Sequence, residues 1–168
     1  MRSLFKLAAI AALSLFALPQ GAAAQGYEPG RVVQAVEYSD LQAIVLSLGH
    51  TIEQQAPSGP RSIRAVTPGG LTYFMIGTAC DQNRVRGCQG LIMQVRFEVA
   101  ETATLDSLSR ANNNFSPLNV WAMPERGMMG MTRYVVLNGG VTMANLRENM
   151  NVLLGLTGPA LDVVTGAQ

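Results

Sequence analysis

The chain has 168 residues, with 12 basic and 11 acidic side chains and a formal net charge of +1. Hydrophobic residues make up 48% of it and charged residues only 14%. A near-neutral chain of this kind has no bulk electrostatic drive towards nucleic acid or an anionic membrane surface, and it is long enough to bury a core without staples.

The first elements in chain order form a leader. Arg2 and Lys6 precede an apolar run from Leu7 to about Leu18, and Pro19, Gln20 and Gly21 break it. Ala22 and Ala24 then supply small residues at the −3 and −1 positions of a cleavage site, the pattern of a secretory signal peptide over residues 1–24. The run is shorter than the ~20 apolar residues a membrane-spanning helix needs. No cysteine lies beside the site and no twin arginine precedes the run, which points to the general secretion route and not to a lipoprotein or a folded-protein route. The expected location is the periplasm of a Gram-negative bacterium, or the medium, with no stable membrane anchor after cleavage. Removing the leader discards Arg2 and Lys6 and no acid, so the mature chain keeps ten arginines, no lysine and eleven acids.

Residues 25–31 read as a flexible lead with Gly26, Pro29 and Gly30. A first helix follows, with Ser39 as N-cap and Gln42 completing a capping box. Leu41, Ile44, Val45 and Leu48 make its apolar face, and Gly49 ends it. Strands are expected at Thr51–Gln55, Arg61–Thr67 and Leu71–Cys80, separated by turns at Pro57–Pro60 and Pro68–Gly70. From Leu91 to Val99, apolar odd positions alternate with Ile92, Gln94, Arg96 and Glu98, the period of a strand with one buried and one wetter face. Thr104 caps a second helix from about Leu105, and the run Asn112, Asn113, Asn114 ends it. Two strands, Asn119–Met123 and Met129–Leu137, flank a turn at Pro124–Gly127. Thr142 caps a third helix with Met143, Leu146, Met150, Leu153 and Leu154 on its apolar face. Residues 158–168 read as a loose tail. Helix, strands, helix, two strands, helix is an α+β order, and it implies a twisted antiparallel sheet with flanking helices in a single domain over 32–157.

Cys80 and Cys88 are the only cysteines. An even count in an exported chain reads as a disulfide, here stapling the ends of adjacent strands and contributing about 2–3 kcal/mol by closing a short loop. The loop carries Arg84 and Arg86, a candidate contact point for an acidic partner. His50 is the single histidine, and a lone histidine cannot assemble a triad. Met123, Met128, Met129 and Met131 offer thioethers that would suit Cu(I), but methionine more often fills irregular cores. No carboxylate pair, phosphate loop or nucleophile elbow is present, so the sequence points to no catalytic residue, no cofactor and no metal.

Several segments together are similar to the YbjN family, described as candidate bacterial sensory transduction regulators. The resemblance is carried by the helix that ends in Gly49 and runs into a strand, Leu41 to Glu53, and by the cysteine pair followed by Gln89 to Phe97. It extends through Asn112 and Phe115 to Gly139-Gly140-Val141-Thr142 opening a helix with Asn145 and Leu146. It implies a fold like that of type III secretion chaperones, often dimeric, without catalytic residues. Where the family tends to have a Trp-Asn pair this chain has Ala111-Asn112, and it has four candidate strands before the second helix instead of three. The expected function is a non-enzymatic protein-interaction or regulatory module whose partner is another protein or a second copy. A small-molecule or lipid carrier with a pocket between helices and sheet is the alternative, and a hydrolase ranks last.

Overall fold

The computed structural model describes residues 26–55, 61–82 and 84–167. The expected leader and the turn at 57–60 lie outside them. Eight strands and three helices are present among the described residues: β1 (Val32–Val33), α1 (Tyr38–Ser47), β2 (Thr51–Gln55), β3 (Ser62–Val66), β4 (Thr72–Cys80), β5 (Cys88–Glu98), α2 (Leu105–Asn114), β6 (Asn119–Met123), β7 (Met128–Val136), β8 (Val141–Thr142) and α3 (Met143–Thr165). The α+β class, the antiparallel sheet and the element order therefore match the expectation.

Six strands form one antiparallel sheet in the order β2-β3-β4-β5-β7-β6. Odd positions of β4, β5 and β7 point to one side: Tyr73, Met75, Leu91, Met93, Val95, Met129 and Met131 are all fully buried there. The helices cover this side with Leu41, Ile44, Leu146, Met150 and Leu153, also fully buried. Methionine is prominent because an unbranched, polarisable side chain fills the irregular gaps between a twisted sheet and crossing helices.

Three local readings need correction. First, α1 begins earlier than the Ser39 cap implies: Glu37 is the N-cap, and its N–H donates to the Asp40 carboxylate at 2.8 Å. Asp40 is buried and also takes the Arg31 guanidinium, so the start of the helix is fixed by an ion pair across the lead. Second, residues 26–31 are tied down. Met143 N–H donates to the Arg31 carbonyl and Ala144 N–H to the Pro29 carbonyl, each at 2.9 Å, and β1 pairs with β8. Third, the tail is helical. α3 continues to Thr165 in spite of Pro159, and Gly166 closes it in the left-handed region. A mid-helix proline costs roughly 3 kcal/mol. Burial of Ala160 and Val164, on the turns beyond it, offsets that cost.

Candidate interaction face

The residues singled out by sequence separate into distinct places. Cys80 and Cys88 stand opposite each other on β4 and β5 and are joined by a disulfide. A Cβ on Gly77 would lie 2.5 Å from the Cys88 sulfur, so only glycine leaves room for that sulfur. The loop between the cysteines is anchored at both ends. Asp81 accepts from the Arg61 guanidinium at 2.7 Å and from the Gly87 N–H at 3.1 Å, and these bonds hold its carboxyl below the usual range. Arg86 reaches back to Glu37 at 2.8 Å. Of the two loop arginines, Arg84 lies exposed at φ +62°, while Arg86 is engaged with the start of α1.

His50 Nδ1 meets the Tyr73 hydroxyl at 2.9 Å. Burial lowers the His50 pKa and pushes the Tyr73 hydroxyl well up. Its described partner is thus a core tyrosine, not a nucleophile or a carboxylate. The methionine cluster splits: Met129 and Met131 are inside, whereas Met123 and Met128 pair on the opposite side of the sheet. Among the described residues no three His, Cys, Asp or Glu side chains group as metal ligands, and no helix is long and apolar enough to cross a membrane.

Asn112 does more than end a helix. Its side-chain amide accepts from the Val120 N–H and donates to the Val120 carbonyl, both at 2.9 Å, and it also donates to the Leu108 carbonyl at 2.9 Å. Val120 lies on β6, an edge strand. The amide therefore stands where a neighbouring strand's backbone would be and blocks that edge at Val120. The other edge, β2, carries a register break between Ile52 and Gln54, and the intervening Glu53 pairs with Arg64 at 3.0 Å. A bulge and a charge are the usual protections of an edge strand.

With both edges protected, what is left is the face of the sheet away from the helices. In register, Arg64, Phe74, Gln94, Thr132 and Asn119 form one row across five strands. Ser62, Ile76, Ile92 and Tyr134 form the next. The polar members bond to one another. Trp121 Nε1 donates to Thr132 Oγ1 at 2.9 Å, Gln94 Nε2 donates to the same oxygen at 2.8 Å, and Arg96 Nε donates to Gln94 Oε1 at 2.6 Å. The Arg96 guanidinium then lies 4.6 Å from the centre of the Phe74 ring. A side chain on Gly130 would collide with the Trp121 ring, and one on Gly90 with the Tyr134 and Thr78 hydroxyls, so both glycines let larger groups lie flat across the sheet. Tyr134 and Val136 are more than half exposed.

None of these face residues stood out as a site in the sequence. The signal was there: Ile92, Gln94, Arg96 and Glu98 alternate with the core positions of β5, and an isoleucine among the wetter positions is the clue.

The fold is shared with several solved structures. The crystal structure of YbjN from E. coli, a proposed transcription regulator, aligns with a TM-score of 0.59 and 13% identity, covering 82% of this chain and 94% of that one. The HopA1–SchA chaperone–effector complex aligns with a TM-score of 0.50 and 14% identity, covering 74% of this chain and 96% of its own. The chain therefore has a YbjN-like, chaperone-like fold. No protein-family model matches it, and no curated protein matches it.

Proposed function

We propose that this chain is an exported, non-enzymatic member of the YbjN group that binds a protein partner on the open face of its sheet. One observation carries the reading: a six-stranded sheet is covered by helices on one side only, its edges are protected, and the other side presents Phe74, Ile76, Ile92, Trp121, Tyr134 and Val136. Tyr134 and Val136 are exposed and the other four half-buried, and contiguous apolar side chains on an uncovered sheet face are the kind of surface that marks an interaction site. The fold is also found in a chaperone that engages an effector, which is in keeping with a protein partner. The disulfide fits an oxidising compartment, and with the leader pattern it supports the periplasm as the place of action, with cleavage after Ala24. The carrier alternative draws no support from the space between helices and sheet, which core side chains fill. The described grooves, of about 170 and 160 Å3, lie beside Arg110 and Asp162 and beside Tyr27 and Leu46.

The test is site-specific photo-crosslinking in living cells, with the probe placed at Ile92, at Tyr134 and, as a control, at the exposed Asn151 of α3. Discrete protein adducts from the first two and none from the third are expected. Adducts of equal strength at all three, or at none, would overturn the reading. N-terminal sequencing of the exported protein should begin at Gln25; an intact Met1 in the periplasm would remove the leader from the proposal.

A further inference from the structure

The protected edges belong to the outermost strands, but β7, one strand in, outruns the strand that flanks it. β6 covers β7 only from Met128 to Thr132, and Asn119 stands opposite Thr132 at the end of that pairing. The last stretch of β7, from Arg133 to Val136, has β5 on one side and no strand on the other. The ladder fixes which backbone groups face that gap. Leu137 N–H donates to the Gln89 carbonyl and Val99 N–H to the Gly127 carbonyl, so odd positions along β7 bond towards β5. Even positions then bond towards β6. Val120 agrees with this: it lies opposite Met131, and its backbone groups point outward to Asn112. Tyr134 and Val136 are the next even positions. Their N–H and C=O groups point into the space beyond β6 and have no hydrogen-bond partner among the described residues.

Three features keep this step open. Extending β6 backwards in the same register would bring Pro117 opposite Tyr134, but Pro117 has no N–H, and its carbonyl takes the Arg133 guanidinium at 2.8 Å. The Tyr134 side chain leans inward over Gly90, with its hydroxyl 3.2 Å from Thr78 Oγ1 on β4, so it does not cover its own backbone edge. Tyr134 and Val136 are 54% and 60% exposed. The devices that guard β2 and β6 are also missing here: no bulge, no proline and no capping amide falls on Tyr134–Val136.

Unpaired donors and acceptors on two alternate strand residues are complementary to another extended backbone. We infer that the step receives an extended peptide segment of another protein, added antiparallel to β7 in line with β6. Two alternate residues of the segment exchange bonds with Tyr134 and Val136, using all their free N–H and C=O groups. Neither of the two is proline. Their side chains fall on the open face beside Tyr134 and Val136, which favours β-branched and aromatic types. A second copy of this chain fits worse. The two-fold pairing that uses every free group sets Tyr134 of each copy against Val136 of the other. That register carries Asn138 of one copy to the place opposite Thr132 that Asn119 of the other already holds. A step about 13 Å long also buries far less than a stable dimer needs, roughly 1,200 Å2. A flexible segment leaves the row after a few residues and meets neither obstacle. The contact lies in the plane of the sheet and does not depend on the open face being an interaction surface.

The experiment follows backbone amides by NMR in the purified, isotope-labelled protein, with a probe peptide added to millimolar concentration. The probe is acetyl-Lys-Val-Thr-Val-Lys-amide. Its control carries an N-methyl group on both valines, which keeps the side chains and removes the two donors. Without peptide, the Tyr134 and Val136 amides should exchange quickly with solvent, while Arg133 and Val135, bonded to β5, are protected. The probe should shift the Tyr134 and Val136 signals and slow their exchange, and the control should bind at least about tenfold more weakly. Protection of Tyr134 and Val136 before any peptide is added would show the edge already paired and overturn the inference. Equal binding of probe and control, shifts only at other residues, or no shift with either would overturn it as well. The crosslinks expected from Ile92 in cells keep the two readings apart. If they persist while the probe fails, the open face stands and the step is lost. If the probe binds while they fail, the step stands alone.

Discussion

The two faces of the sheet are made by the same strands, one residue apart, and they obey different rules. On the helix side Leu91, Met93 and Val95 are fully buried and belong to the hydrophobic core. On the other side Ile92, Gln94 and Arg96 follow the same backbone, but they touch mainly one another and residues of the adjacent strands. The helix side holds the fold together through burial. The open side is ordered by a chain of side-chain hydrogen bonds that links β6, β7 and β5, and it keeps its apolar groups available. A surface can thus be well ordered and still be unfinished.

Leu91→Ala on the covered side should cost about 2–5 kcal/mol, read as a loss in the free energy of chemical denaturation. Ile92→Ser, its neighbour on the open side, should cost under about 1 kcal/mol in the same measurement and yet remove the crosslinks expected at that face. Equal costs at the two positions would break the comparison. Between these extremes lies Asn112→Ala. It leaves the Val120 N–H and carbonyl on β6 without partners, at about 1–3 kcal/mol. It should also bring concentration-dependent assembly through the reopened edge, visible by light scattering.

The smallest effect is one of pH. Burial lowers the His50 pKa in the folded state, so the unfolded chain takes up a proton that the folded chain resists. Stability should therefore be level above the ordinary histidine value of 6.5 and decline as the pH falls below it. Asp81, whose carboxyl is held low by Arg61, adds a further decline only below its ordinary 3.8. Denaturation midpoints across about pH 2.5–8 would check both declines, and His50→Asn should flatten the first. Stability that rises on acidification through pH 6 would contradict it.

The fold was legible because alternation and helical periodicity are dictated locally. The odd positions of β5 announce a buried face, and Leu41, Ile44, Val45 and Leu48 announce a helix. What escaped depends on partners distant in sequence. Glu37 caps α1 because Arg31 holds Asp40. The tail after Gly158 stays helical because α3 packs along α2 and the sheet, although a proline and two glycines read locally as a stop. Asn112 resembled a helix end because an asparagine run is a common one, and only the position of β6 reveals that its amide replaces a strand. The open face escaped because a partly polar strand face reads as solvent-facing. The apolar side chains among Gln94, Arg96 and Thr132 become continuous only once β7 is known to lie beside β5, across an intervening helix and strand.

The pairing of β1 with β8 bears on timing. Val32 stands opposite Thr142, more than a hundred residues later, and the Arg31 carbonyl waits for the Met143 N–H. Closing so long a loop is entropically slow, and it cannot occur until nearly the whole chain is present. The opening segment of the domain is thus among the last to be locked. Under the export proposed above, late closure would be an advantage: the domain could not be completed on the wrong side of a membrane while its C-terminal third is still being made.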